Sequence, residues 1–234
     1  MGAIFLRFLR CLIGIILLTA ILVMSSCSIY TAASSSYAPI VIIDAGHGGE
    51  DSGAVGLNGV LEKDLNLQIS RLIGEELTAR GYNVVYSRNE DSLLYTEEEN
   101  IRGIRKISDL KNRVRIFNSY DNAIVISIHM NSFSAPQYSG LQVYHSPGGE
   151  QLATAIKESV KSELQPYNKR GIKSGDKIYI LKHSTNVAVL VECGFLSNRD
   201  ECERLCEKEY QKMLSFSIVC GIIEYVEQNS KRNV

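Results

Sequence analysis

Proline is scarce in this chain, with only 4 residues in 234, and there is no glycine-proline repeat. That excludes collagen-like and low-complexity architectures. Beyond the first turns no long apolar stretch remains, which excludes a polytopic membrane protein. Basic excess is also missing, since the formal net charge is −1, and no dedicated nucleic-acid partner is expected. There is no internal repeat, no Gly-Lys-Ser/Thr loop and no G-x-G-x-x-G of the right spacing, so a nucleotide phosphate cradle is not expected. What is present is an ordinary globular balance, with 45% hydrophobic and 22% charged residues, enough to bury a core.

The N-terminus stands apart. Arg7 and Arg10 precede an apolar run from Cys11 to Met24, and the next basic residue is Lys63. Such a pattern reads as a secretory signal or an N-terminal membrane anchor, with everything after it placed outside the cytoplasm. We assign residues 1–27 to the signal peptide or anchor, 28–38 to a small, polar linker, and 39–230 to a single globular domain. Met24-Ser25-Ser26-Cys27 also resembles a lipoprotein box, with Cys27 as the lipid-bearing residue. Without Arg7 and Arg10 the outer domain is more acidic, so charge alone will not hold it on an anionic wall. Its four cysteines, Cys193, Cys202, Cys206 and Cys220, read as free buried thiols, because two lie in apolar runs and two at i, i+4 on a helix.

Within the domain, short apolar runs alternate with helical periodicity. Strands are expected at Pro39–Asp44, Tyr82–Ser87, Ala123–Ile128 and Val187–Val191, with an edge strand at Leu141–Tyr144 and a short one at Tyr179–Leu181. Helices are expected over Glu62–Arg80, Ser108–Tyr120, Gly149–Leu164 and in two segments at the C-terminus. This is an α/β fold, a twisted, mostly parallel sheet of about six strands between helices.

Three of these strands run into chemically marked sequences: Asp44-Ala45-Gly46-His47, His129-Met130-Asn131 and Glu192-Cys193-Gly194. Ligands of open α/β sheets bind at the carboxyl ends of strands. Glu62 opens the first helix and can point to the same edge. Two histidines and a glutamate are a donor set used by catalytic zinc, and a further carboxylate can serve as general base. On spacing alone, Glu62 and Glu192 are both open to either role, and Glu62 could equally be a helix-start charge favoured by the dipole. Asn131 either orients substrate or caps the loop. Asp44 either holds His47 or caps a turn. His145 and His183 read as surface residues, the basic stretch Arg102–Arg115 as a solvated helix face, and Tyr138, Tyr144 and Tyr179 as packing residues.

The strings VIIDAGHGGEDSGAVG, LEKDLNL, SIHMNS and VLVECGFLSN, in this order, resemble the zinc-dependent N-acetylmuramoyl-L-alanine amidases of the type-3 family. The resemblance covers about Ile40 to Val226. It implies Zn2+ as cofactor, His47, Glu62 and His129 as its ligands, Glu192 as the catalytic carboxylate, and peptidoglycan as substrate. Within the family the chain is most similar to the germination-specific amidases of spore formers. This implies an exported enzyme of the cell envelope or spore cortex region, acting where muramic-δ-lactam forms. Ala45 and Val187 stand where proline is usual, and Cys193 where an aliphatic or small residue is typical. Looser site loops, weaker metal retention and an envelope protein partner that supplies the missing order are therefore expected. The insert Tyr95–Arg113 or the C-terminal helices would be its docking surface. The rival readings are a zinc peptidase or deacetylase on the same polymer, or a non-catalytic metal-binding wall regulator.

Overall fold

The computed structural model describes residues 39–232. The expected signal or anchor, the linker up to residue 38 and Cys27 lie outside them. Among the described residues no helix is long and apolar enough to cross a membrane.

Six strands form one sheet: β1 (Val41–Ala45), β2 (Val84–Tyr86), β3 (Ile124–Asn131), β4 (Gln142–His145), β5 (Lys173–Ser174) and β6 (Val187–Phe195). Their order is β2-β1-β3-β6-β4-β5. Only the β4/β6 pairing is antiparallel, so the sheet is mostly parallel. All five residues of β1 are buried, as are the first five of β3, because helices cover both faces of the central strands.

The helices are α1 (Glu62–Ala79), α2 (Arg105–Phe117), α3 (Glu150–Glu163), α4 (Tyr179–His183), α5 (Arg199–Cys206) and α6 (Lys208–Arg232). In α1 the buried Leu65, Ile69, Ile73 and Leu77 recur every four residues and present one apolar stripe to the sheet. The helix ends where Gly81 takes φ +83°, a left-handed conformation that glycine adopts without a Cβ penalty. On this face α1, α3, α5 and α6 pack around Ile126, Ile128, Val189 and Val191. On the other face α2 and α4 cover Ile42, Val125, Ala188 and Leu190 through Phe117, Ile180 and Leu181.

The structure corrects several sequence expectations. Tyr179–Leu181 is not a strand but the core of α4, where Lys182 N–H donates to Ile178 O at 2.9 Å. Three apolar residues carry no period that separates strand from helix. Strand β4 is not at the edge, because the two-residue β5 pairs beyond it. Strands β3 and β6 run past the apolar cores that announced them, through His129 and Glu192, which pair with each other. His145 is buried at 8% exposure, while Tyr138 and Tyr179 are exposed at 43% and 39%. His183 is exposed, as expected. The cysteines are free, with Cys193 and Cys202 buried but Cys206 exposed. The basic stretch Arg102–Arg115 is not wholly a solvated face, since Arg113 is 2% exposed.

Candidate metal centre

The site lies at the carboxyl ends of β1, β3 and β6. His47 follows β1 in a turn of positive-φ residues. Its own φ is 61°, uncommon for a residue with a side chain, and Gly48 and Gly49 continue at 138° and 52°. Two glycines are needed for close approach. A Cβ at Gly46 would lie 2.2 Å from the His129 imidazole. One at Gly53, where φ is +65°, would meet Glu62 Oε2 at 2.5 Å and the His47 ring at 2.8 Å.

Glu62 is the first residue of α1, and its carboxylate turns back over the helix start. Oε2 accepts from Ala54 N–H at 2.7 Å and Oε1 from Met130 N–H at 3.0 Å. Oε1 also lies 3.2 Å from His47 Nε2 and 3.0 Å from His129 Nδ1. One donor atom from each of His47, Glu62 and His129 lies within 4.8 Å of the other two. Bonds of about 2.0–2.2 Å in a tetrahedral shell set ligand atoms roughly 3.3 Å apart, so two imidazole nitrogens and one carboxylate oxygen at these separations fit zinc. Burial opposes the charge on Glu62, but hydrogen bonds from both imidazoles hold its carboxyl well below the usual range. Burial likewise opposes a proton on His47, yet Asp51 and Glu62 outweigh it and raise its pKa to about 9.

Glu192 pairs with His129 across neighbouring strands, which lie about 4.8 Å apart. Its Oε2 is buried and, among the described residues, has no hydrogen-bond partner. Burial pushes its pKa up to about 7, with a smaller rise from Glu62 and opposing pulls from His129 and His47. An unsatisfied buried carboxylate oxygen beside a metal donor set is the arrangement a proton-transferring group needs.

Asp44 does not hold the His47 side chain. It is fully buried and accepts hydrogen bonds from Ser87, Arg113 and Ser127. The partner of His47 Nδ1 is Asp51, at 2.9 Å. The loop folds back on itself through paired Gly48–Asp51 backbone bonds of 3.0 Å, which set Asp51 beside His47. A carboxylate four residues after a candidate ligand was the signal that could have found it. The other missed residues are two arginines. Arg113 donates to Ala45 O at 2.8 Å and His47 O at 2.7 Å, and pairs with Asp44 and Asp109. Arg88 donates to Ala45 O at 2.8 Å and Gly46 O at 3.0 Å. Between them they clamp the backbone of residues 45–47, supplying order to the loop that carries His47.

Arg113 therefore offers a direct test of the loop. Its replacement by Met keeps length but leaves Asp44 buried and unpaired, which costs about 3–5 kcal/mol. The thermal midpoint should fall by about 10 °C for a domain of this size. An unchanged midpoint would show that Ser87 and Ser127 suffice for Asp44.

Asn131, two residues beyond His129, donates no loop-capping bond among the described residues; its backbone carbonyl accepts from Leu196 N–H at 2.8 Å. Its side chain lines a cleft of about 240 Å³.

Comparison with known proteins shows the family of the chain. Residues 41–224 match the profile of the Amidase_3 family, described as N-acetylmuramoyl-L-alanine amidase. A germination-specific N-acetylmuramoyl-L-alanine amidase of Bacillus subtilis (strain 168) is 33% identical over 189 residues, 80% of this chain and 79% of that protein. YqiI of the same organism, uncharacterized, is 38% identical over 193 residues, 80% of this chain and 85% of that protein. Among solved structures, the CwlD amidase from Clostridioides difficile, in complex with the GerS lipoprotein, is 36% identical. It superposes with a TM-score of 0.78 over 81% of this chain and 99% of that one.

Proposed function

The chain belongs to the N-acetylmuramoyl-L-alanine amidase family, a cell-wall peptidoglycan hydrolase fold, and from that premise we propose that it is a zinc enzyme whose ligands are His47, Glu62 and His129 and whose general base is Glu192. The observation that carries this reading is the unpartnered Glu192 oxygen beside three clustered donors. Bound there, zinc would supply a Lewis acid and a more acidic water.

The protein's own residues then divide the work. Glu192, on the strand next to His129, takes the proton of the attacking water and delivers it to the amine of L-Ala as the bond to the lactyl carbonyl breaks. Water oxygen ends on the muramic acid carboxylate and the proton on the departing peptide. Asp51 keeps His47 oriented through Nδ1. The Glu62 carboxylate is fixed by two backbone N–H groups, so it cannot swing away when its histidine contacts change.

The finer reading follows the relatives. A germination-specific amidase and CwlD both align over the catalytic domain, which supports a role in spore cortex modification leading to muramic-δ-lactam. We place residues 39–230 as the catalytic domain outside the cytoplasm, carried there by the N-terminal segment as signal or anchor. The GerS complex of CwlD supports an envelope protein partner here too. Ile101, Ile104 and Ile107, 44–54% exposed within the insert, and Met213 and Phe216 on α6, 50% and 46% exposed, give apolar surface for it.

Digestion of cortex-type peptidoglycan by the purified chain, with and without an envelope extract, tests both parts. Mass spectrometry should find peptides with a free L-Ala amino end and intact glycan chains. Cleavage within the peptide or loss of acetyl groups would move the reading to a peptidase or deacetylase. Full zinc loading and activity without the extract would remove the partner.

A further inference from the structure

The cleft beyond Asn131 has no role in the chemistry above. Its walls are Asn131, Tyr138, Tyr144, Arg170, Lys173 and Phe195, with Phe133 at the rim. Two cations and no acid line it. Among the described residues neither Arg170 nor Lys173 forms an ion pair.

Arg170 is nonetheless held in place. Its backbone N–H donates to Asn168 Oδ1 at 3.0 Å, and Asn168, nearly buried, donates in turn to Leu141 O at 2.9 Å. Its Nε donates to Ser139 O at 2.7 Å. The guanidinium lies 4.4 Å from the Phe195 ring centroid and 5.8 Å from that of Tyr138. Its terminal nitrogens have no hydrogen-bond partner among the described residues, and it lines both this cleft and the neighbouring one that holds Glu201. Lys173 Nζ lies 5.8 Å from the Tyr144 ring centroid. A planar, stacked guanidinium with free terminal donors is suited to bind a carboxylate.

The position of the cleft relative to the metal centre selects the ligand. Asn131, two residues past His129, pairs with Phe195, three residues past Glu192, across a register irregularity. Two residues of strand span about 7 Å, which is also the length of two residues of extended peptide. A stem peptide running from His129 and Glu192 along the direction of β3 would place the residue after L-Ala at this cleft. In peptidoglycan that residue is glutamate with a free carboxylate, or its amide.

We propose that Arg170 and Lys173, with the Asn131 carboxamide, form a carboxylate subsite for the acidic residue that follows L-Ala, so that the enzyme selects free-acid stem peptides over amidated ones. This rests on the amidase reading and names the substrate class it prefers.

The test compares two synthetic muropeptides, identical except that this carboxylate is free or amidated, on one zinc-supplemented preparation of the full chain. Wild type should favour the acid in kcat/KM by roughly 10- to 100-fold, the range of one charged hydrogen bond. Arg170→Gln should bring that ratio close to 1, and Lys173→Gln should lower it less. Because both substrates see the same protein, partial misfolding leaves the ratio unmoved. A wild-type ratio near 1, or a ratio that survives Arg170→Gln, overturns the subsite and leaves the amidase reading standing. If neither muropeptide is cleaved, the amidase reading fails instead. Calorimetric titration with the L-Ala-D-Glu peptide and its amide then decides the subsite: tighter binding of the acid that Arg170→Gln abolishes supports it, and equal binding overturns it.

Discussion

Alanine at His47, Glu62 or His129 is expected to remove both zinc and turnover, each substitution alone being sufficient. Three donors within 4.8 Å leave no spare ligand among the described residues, where this is the one such group. Loss of a group that merely orients a ligand weakens metal binding about 10–100-fold, and loss of a ligand should exceed that. Zinc content measured by atomic emission after dialysis, alongside a wall digest, gives the two readouts. Full occupancy in all three variants would place the metal elsewhere. Glu62→Ala should also lower stability, since Ala54 and Met130 N–H would lose their acceptor.

Glu192→Gln is expected to do the opposite to the metal and nearly the same to the rate. Zinc should stay bound while hydrolysis falls by on the order of 10²–10⁴. A variant that lost zinc, with Glu62→Gln keeping it, would exchange the two roles. Stability gives an independent reading in chelator-treated protein. The Glu192 pKa in the folded chain is about 7 against a reference of 4.5, so the folded state holds a proton that the unfolded state releases. Below pH 4.5 both states are protonated and nothing is lost. Stability falls as pH rises from 4.5 to 7, and above 7 the full deficit, on the order of 3 kcal/mol, is present. Gln carries no such deficit. Metal-free Glu192→Gln should therefore melt above wild type at pH 8, with the gap closing near pH 4.5. A gap independent of pH would mean that the carboxylate is already satisfied.

The parts of this molecule that could be read from sequence are those where one local signal suffices. PIVIID and AIVISI announce buried parallel strands because both of their faces are covered, and the helical period of Leu65 to Leu77 is unbroken. The candidate metal residues stood out because each ends or opens an element expected from the sequence. Where long-range partners decide, the sequence was mute. Arg113 sits in a basic stretch that reads as solvated, and only the fold brings Asp44 and the His47 carbonyl to it. Asp44 was visible as a strand-end carboxylate, but its three donors come from β3, α2 and the end of β2. Tyr179–Leu181 was too short for any period to speak.

The proposed ligands all lie in the first half of the described chain, just after β1, on α1 and on β3, whereas the proposed base arrives on β6. Strands β1 and β3 pair with each other without β6, and Ala45 is already in register with Ile128. All three proposed donors sit on or beside β1, α1 and β3, whereas the proposed base is placed beside them only by the β3–β6 pairing. A substitution that loosens β6 at Glu192 is therefore expected to lower the rate of hydrolysis more than it lowers metal content.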